Sequence, residues 1–133
     1  MVGVIVLSGL GAGTIIKPMD TFGYDLVIIT PKEFLSAAQK LADHKNSINV
    51  DTIIKTTQEI YDEFDGRDNA EQIKYYIKYA IENYRVKYVL LFEGMKGQSL
   101  NWYIPLRYVL LDDCSSKYTT FFSDLYYSDI SKI

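Results

Sequence analysis

"YDLVIITPKEF", running from Tyr24 to Phe34, decides the fold. Leu26 to Ile29 is an unbroken β-branched and aliphatic run, the pattern of a strand covered on both faces. Thr30, Pro31 and Glu33 then stand in capping-box order, with Thr at N-cap, Pro at N1 and Glu at N3. A helix is therefore predicted to leave directly from the strand's carboxyl end. Its apolar face carries Phe34, Ala37, Ala38 and Leu41, and it fades near Lys45 and Asn46. A strand feeding straight into a helix opens a βαβ unit.

The segments on the carboxyl side continue that rhythm. "INVDTIIKT", Ile48 to Thr56, reads as the next strand, and "TQEIYDEF" as a short helix or turn. Asp68 followed by Glu71 is a second capping signal. The long helix it starts presents Ile73, Ile77, Ala80 and Tyr84, widened by Tyr76 and Ile81, with Lys74 and Lys78 on the wet side. "KYVLLFEG", Lys87 to Gly94, is a third strand. The predicted class is α/β, a mostly parallel sheet with helices on both faces. After Gly94 the rhythm changes to a loop, "MKGQSLNW", and two strand-like runs, "YIPLRYVLLD" and "YTTFFSDLYY". Strands without a helix between them predict a β-hairpin or extension at the C-terminal end.

The totals bound what such a domain does. A chain of 133 residues builds one core, and 48% apolar with 23% charged residues is ordinary globular composition. The net charge is −3 with no basic stripe, so nucleic acid is not an expected partner. Cys114 and His44 are the single cysteine and single histidine. An internal disulfide, a cysteine-based metal site and a two-histidine zinc site are thereby ruled out within one chain. Residues 21–133 read as a single α/β domain. Residues 1–20 hold an uncharged run, "VGVIVLSGLGAGTII", that reads as a first strand, the remnant of an export signal or anchor, or an artefact of expression. The run is short for a membrane span.

Several features invite chemistry. "SGLGAGT", Ser8 to Thr14, spaces its glycines too evenly for a dinucleotide fingerprint, and "IIKPMD" after it argues against the helix N-terminus that a phosphate needs. Cys114 and His44 supply the types of a thiol–imidazole dyad, but Asp112 and Asp113 directly before the sulfur raise a thiol pKa rather than lower it. Glu93 ends a strand, on the side of a parallel sheet where ligands gather, with solvated loop charge as the plainer reading. Asp112 with Asp113, and Asp124 with Asp129, are acid-rich enough to interest calcium, although no EF-hand spacing is present.

Taken in order, "YDLVIITPKEF", "LADHK", "EIYDEFDGRDNAEQIKYYI", "YVLLFEG", "YIPLRYV" and "SDLYYSDI" resemble the amino-terminal part of gingipain-type cysteine peptidases over residues 24–130. "GRDNAEQIK" paired with "IPLRYV…SDLYY" carries most of the resemblance. It implies a caspase-like catalytic domain of two subdomains, of which this chain matches the first. The family's nucleophilic cysteine and its histidine belong to the second, and neither Cys114 nor His44 aligns with them. The resemblance carries over Pro105, Arg107, Asp124, Tyr126 and Tyr127, whereas Glu93-Gly94 stands where the family shows Gly-Asp. It further implies no catalytic residue in this chain, no required cofactor, and calcium or loop-ordering roles for Asp124 and Asp129. The implied partners are a second catalytic subdomain and, in the full-length protein, a polypeptide substrate. Secretion or a cell-surface location follows from the family, and the lone cysteine also fits the cytoplasm. The alternative reading is a stand-alone flavodoxin-like or receiver-like module binding a ligand beyond Glu93 and Gly94.

Overall fold

The computed structural model describes residues 23–98, 101–113, 117–123 and 125–130, the segment 108–123 by its backbone. Three strands form a parallel sheet: β1 (Leu26–Thr30), β2 (Thr52–Thr56) and β3 (Tyr88–Leu91). Their order is β2-β1-β3, and Val27 lies opposite Ile53 on one side and Val89 on the other. The chain crosses from β1 to β2 through α1 (Leu35–Ser47). It returns past β1 to β3 through α2 (Thr57–Glu63) and α3 (Asn69–Tyr84). Crossovers of one hand running in opposite directions put their helices on opposite faces of a sheet.

The core divides accordingly. Val27 and Ile29 of β1 pack with Ile60, Ile73, Tyr76, Ile77 and Ala80 on the α2–α3 face. Leu26 and Ile28 pack with Ala38 and Ala42 of α1 on the other. All of β1 is buried, as its unbroken apolar run predicts. The expected α/β class, with helices on both faces, is the observed one.

The first helix starts differently from the expectation. Thr30 stays in β1 and is fully buried, its hydroxyl donating to the Pro31 carbonyl at 3.3 Å. Pro31 remains extended at ψ 154° and precedes a 3₁₀ turn, Lys32–Phe34, without a side-chain cap. Glu33 falls inside that turn, so no capping box forms here. A 3₁₀ turn advances the chain by a different angle per residue than an α-helix. The buried stripe is therefore Ala38 and Ala42, and Ala37 faces solvent. The capping box appears one element later. Thr56 Oγ1 accepts from Glu59 N at 3.3 Å and Glu59 Oε2 accepts from Thr56 N at 2.9 Å. "TQEIYDEF" is thus a helix rather than a turn. β2 begins at Thr52, four residues later than expected, because Ile48 is exposed and Asn49 turns the chain at φ 63°.

Two expectations for α3 are corrected. Ile81 is exposed, and Lys74 is buried rather than on the wet side. The α3 cap itself is as expected, with Asp68 accepting from Glu71 N at 3.0 Å. Gly23 is where backbone closeness demands glycine, since a Cβ there would stand 2.9 Å from the Tyr84 carbonyl oxygen.

β3 is shorter and less covered than its apolar run suggests, with Tyr88 66% and Val89 37% exposed. The loop after it closes on itself through a Met95–Trp102 bridge and a Lys96 N–H to Asn101 bond of 2.8 Å. β4 (Arg107–Asp113) and β5 (Lys117–Ser123) form the expected hairpin, as a separate antiparallel sheet with Val109 opposite Phe121. The final run does not continue as strand: Leu125–Ser128 is a helical turn, α4.

Candidate functional site

The carboxyl ends of β1 and β3 face the point where the chain's two crossovers diverge, which is where open α/β sheets hold their ligands. Glu93 stands there, two residues beyond β3. It is not a solvated loop charge. Its side chain is half-buried, and Oε2 accepts the backbone N–H of Ile104 at 2.6 Å. Burial pushes the Glu93 carboxyl above its ordinary value, against the pull of that N–H.

Two phenols belong to the same group. The Tyr61 hydroxyl is buried without a hydrogen-bond partner among the described residues. Burial and then the charge of Glu93 push it up to about 12. Tyr127 is buried, and its hydroxyl donates to the Pro105 carbonyl. Its pKa is likewise raised, by burial first and then by Tyr61 and Glu93. Ile104 is fully buried beside them. Glu93 holds Ile104 and Tyr127 holds Pro105, so the group orients two successive residues of this loop.

A second cluster joins the segments that "GRDNAEQIK", "IPLRY" and "SDLYY" contribute. Asp68, already the cap of α3, accepts Arg107 Nη2 at 2.5 Å through its other oxygen. The α3 N–H and the Arg107 guanidinium together hold the Asp68 carboxyl below its usual range. Arg67 donates its Nε and Nη2 to Glu71 Oε1 at 2.8 and 2.6 Å, and its backbone N–H reaches Oε2 at 2.7 Å. The Tyr126 ring takes two cations, Lys74 Nζ at 4.5 Å and the Arg107 guanidinium at 4.9 Å. The resemblance carries over Arg107, Tyr126 and Tyr127 as separate positions, and neither their meeting nor the part of Lys74 is expected from the sequence. The signal was available, since Lys74 stands four residues after buried Ala70 and three before buried Ile77.

The other predicted residues lie apart. His44 sits in the last turn of α1, whose following loop leads to the amino end of β2, away from Glu93. Cys114, Asp124 and residues 1–20, including the glycine run, lie outside the described residues. Asp112 and Asp113 pair along the hairpin with Tyr118 and Lys117. Asp129 is half-buried just after α4. Among the described residues no group of three or more His, Cys, Asp or Glu side chains gathers as a metal site. No helix among the described residues is long and apolar enough to cross a membrane.

Neither the curated proteins nor the solved structures give a match. The family model for Peptidase family C25 matches residues 20–132, which covers the parallel sheet, the Glu93 group and the Asp68–Arg107–Tyr126 cluster together. With nearly its whole length matched, the chain belongs to peptidase family C25, the gingipain family of cysteine peptidases.

Proposed function

We propose that this chain is the non-catalytic first subdomain of a caspase-like cysteine endopeptidase, completed by a second subdomain that brings the nucleophilic cysteine and its histidine. The observation that carries this is the outer edge of β3. Tyr88 N donates to the Asp25 carbonyl and Phe92 N to the Ile29 carbonyl, so these alternate amides point toward β1. By the two-residue period of a strand, the Val89 and Leu91 amides point outward. No strand pairs with that side among the described residues, and Tyr88 and Val89 are exposed there. Strands of parallel sheets are ordinarily buried, and an open apolar edge is a place for another strand. The second subdomain supplies it in this reading.

The Glu93 group then has a structural role. It fixes Ile104 and Pro105, and through them the approach to β4, the element that leads toward the missing half. A stand-alone ligand-binding module is less well supported, because the Glu93 carboxylate already holds Ile104 at the place a ligand would occupy. The same reading gives Asp124 and Asp129 a part at the junction, ordering loops or binding calcium, and an exported or surface location to the whole enzyme. A thermal-shift titration with calcium tests the junction role, since a ligand of the native state must raise apparent stability.

The chain alone should not hydrolyse peptides. A thiolate nucleophile needs a paired base, and His44 sits in the exposed last turn of α1. Incubation with a mixed peptide library under reducing conditions should give no cleavage. Cleavage that disappears in Cys114→Ala would overturn the proposal.

A further inference from the structure

A lysine is rarely buried unless an opposite charge meets it. Lys74, in the second turn of α3, is 5% exposed. Its ammonium lies over the Tyr126 ring, 4.5 Å from the centroid. Among the described residues no carboxylate stands within ion-pair distance of it. The acids nearest in sequence are already spent. Glu71, one turn earlier on the same helix, gives Oε1 to the Arg67 guanidinium and Oε2 to the Arg67 backbone N–H. Asp68 gives Oδ1 to the Glu71 N–H and Oδ2 to Arg107 Nη2. The cluster thus carries three cations, Arg67, Lys74 and Arg107, to two carboxylates, and the unmatched charge is that of Lys74.

The ammonium is within reach from outside. Among the described residues, the Tyr61 and Tyr76 hydroxyls are the side-chain polar atoms that are both shut off from solvent and without a hydrogen bond. The Lys74 ammonium has no hydrogen bond there either, yet it is not one of these. Its stem is buried and its head meets solvent, as long cationic side chains commonly arrange themselves.

Such a head is prepared for an anion. Surface ion pairs contribute little because pairing immobilises long, free side chains. Packing of the stem and the Tyr126 ring have already removed that freedom from Lys74. The ring face attracts the charge, but an ammonium has three N–H donors to place. Arg107, 4.9 Å from the same ring centroid, brings a second positive charge to the seat. One unmatched positive charge selects one negative charge. A carboxylate supplies that, whereas a phosphate dianion would bring a surplus charge up to Asp68 and Glu71.

We propose that Lys74, seated on the Tyr126 ring where α4 packs against α3, binds a carboxylate group, whose oxygen accepts from the Lys74 ammonium. The site uses neither the β3 edge nor Glu93 and stands independently of the subdomain reading.

The test is a titration of the whole chain by NMR at constant ionic strength, with propionate, propylammonium and inorganic phosphate as probes. Propionate should shift the Lys74 side-chain and Tyr126 ring resonances saturably, propylammonium should leave them in place, and phosphate should bind more weakly than propionate. Lys74→Met keeps an unbranched stem and removes the charge. Replacing a buried charge by an apolar side chain of similar volume is often neutral or stabilising, so this variant should fold. Its propionate binding, read at the Tyr126 ring, should be weaker by about tenfold or more. Nα-acetyl-alanine and Nα-acetyl-glutamate amide then separate a chain-terminal carboxylate from an acidic side chain, the tighter of the two supporting the site and naming its source. Absence of a saturable propionate shift at hundreds of millimolar, an equal response to propylammonium, tighter binding of phosphate, or undiminished propionate binding by folded Lys74→Met would each overturn the proposal.

Discussion

Glu93 has one oxygen on a backbone amide and a half-buried carboxyl whose pKa lies above its ordinary value of 4.5. The folded state therefore holds a proton on Glu93 at pH values where the unfolded chain has released it. Stability from this group is full below the unfolded value and declines as pH rises through the folded one. Glu93→Gln keeps an acceptor for Ile104 N–H and cannot lose a proton. Urea midpoints of the variant should gain on the wild type as pH rises from about 4.5 toward neutrality, and a difference constant with pH would contradict the assignment. At Tyr126 the expected outcomes differ by partner. Arg107→Ala breaks an ion pair whose two side chains are 39% and 45% exposed, so it should cost no more than about 1 kcal/mol in urea denaturation. Tyr126→Leu leaves the buried Lys74 ammonium without its ring and should cost more, about 1–2 kcal/mol. The role of Lys74 was legible only in part. The helical stripe contains its position, but a lysine there is ordinarily exposed, and the tyrosine that receives it comes more than fifty positions later in the sequence.

At the scale of elements, caps and turns decide where helices begin and end. Thr56→Ala removes one half of the α2 capping box and should cost about 1 kcal/mol. Asp68→Ala removes both the α3 cap and the Arg107 pair, so its loss by the same measurement should exceed that of Thr56→Ala. Arg85 ends α3 in the left-handed region at φ 55°, a conformation that favours glycine. Arg85→Gly should stabilise the chain by up to about 1 kcal/mol, and a loss of stability would show that the arginine side chain contributes more than its backbone strain. Both strand–helix units and the Asp68 cap were readable because their signals are local: a continuous apolar run, an acid before a helical stripe. The Thr30 capping box was misread because Pro31 stays extended and starts a 3₁₀ turn, a choice that the types Thr, Pro and Glu do not determine. "YTTFFSDLYY" reads as one strand-like run, yet Leu125–Ser128 turns helical and places Tyr126 at Lys74 and Tyr127 at Pro105. Those contacts are long-range, and no local pattern encodes them.

At the scale of the molecule, the sheet is covered on both faces, and among the described residues no strand pairs with its β3 edge. α1 covers one face, α2 and α3 the other, while Tyr88 and Val89 stay exposed. The α/β class and the parallel sheet were legible from the spacing of strands and helices, but its strand order was not. The unpaired edge was not, because "KYVLLFEG" is as apolar as a central strand. In the family reading that apolarity is explained: the strand is central in the completed enzyme. Hydrogen exchange of the β3 amides tests this most directly. In the chain alone, the Tyr88, Leu90 and Phe92 amides should be protected and those of Val89 and Leu91 should exchange freely. In a protein that also carries the cysteine- and histidine-bearing subdomain, Val89 and Leu91 should become protected. Protection of Val89 and Leu91 in the isolated chain, or free exchange in the two-subdomain protein, would contradict the account.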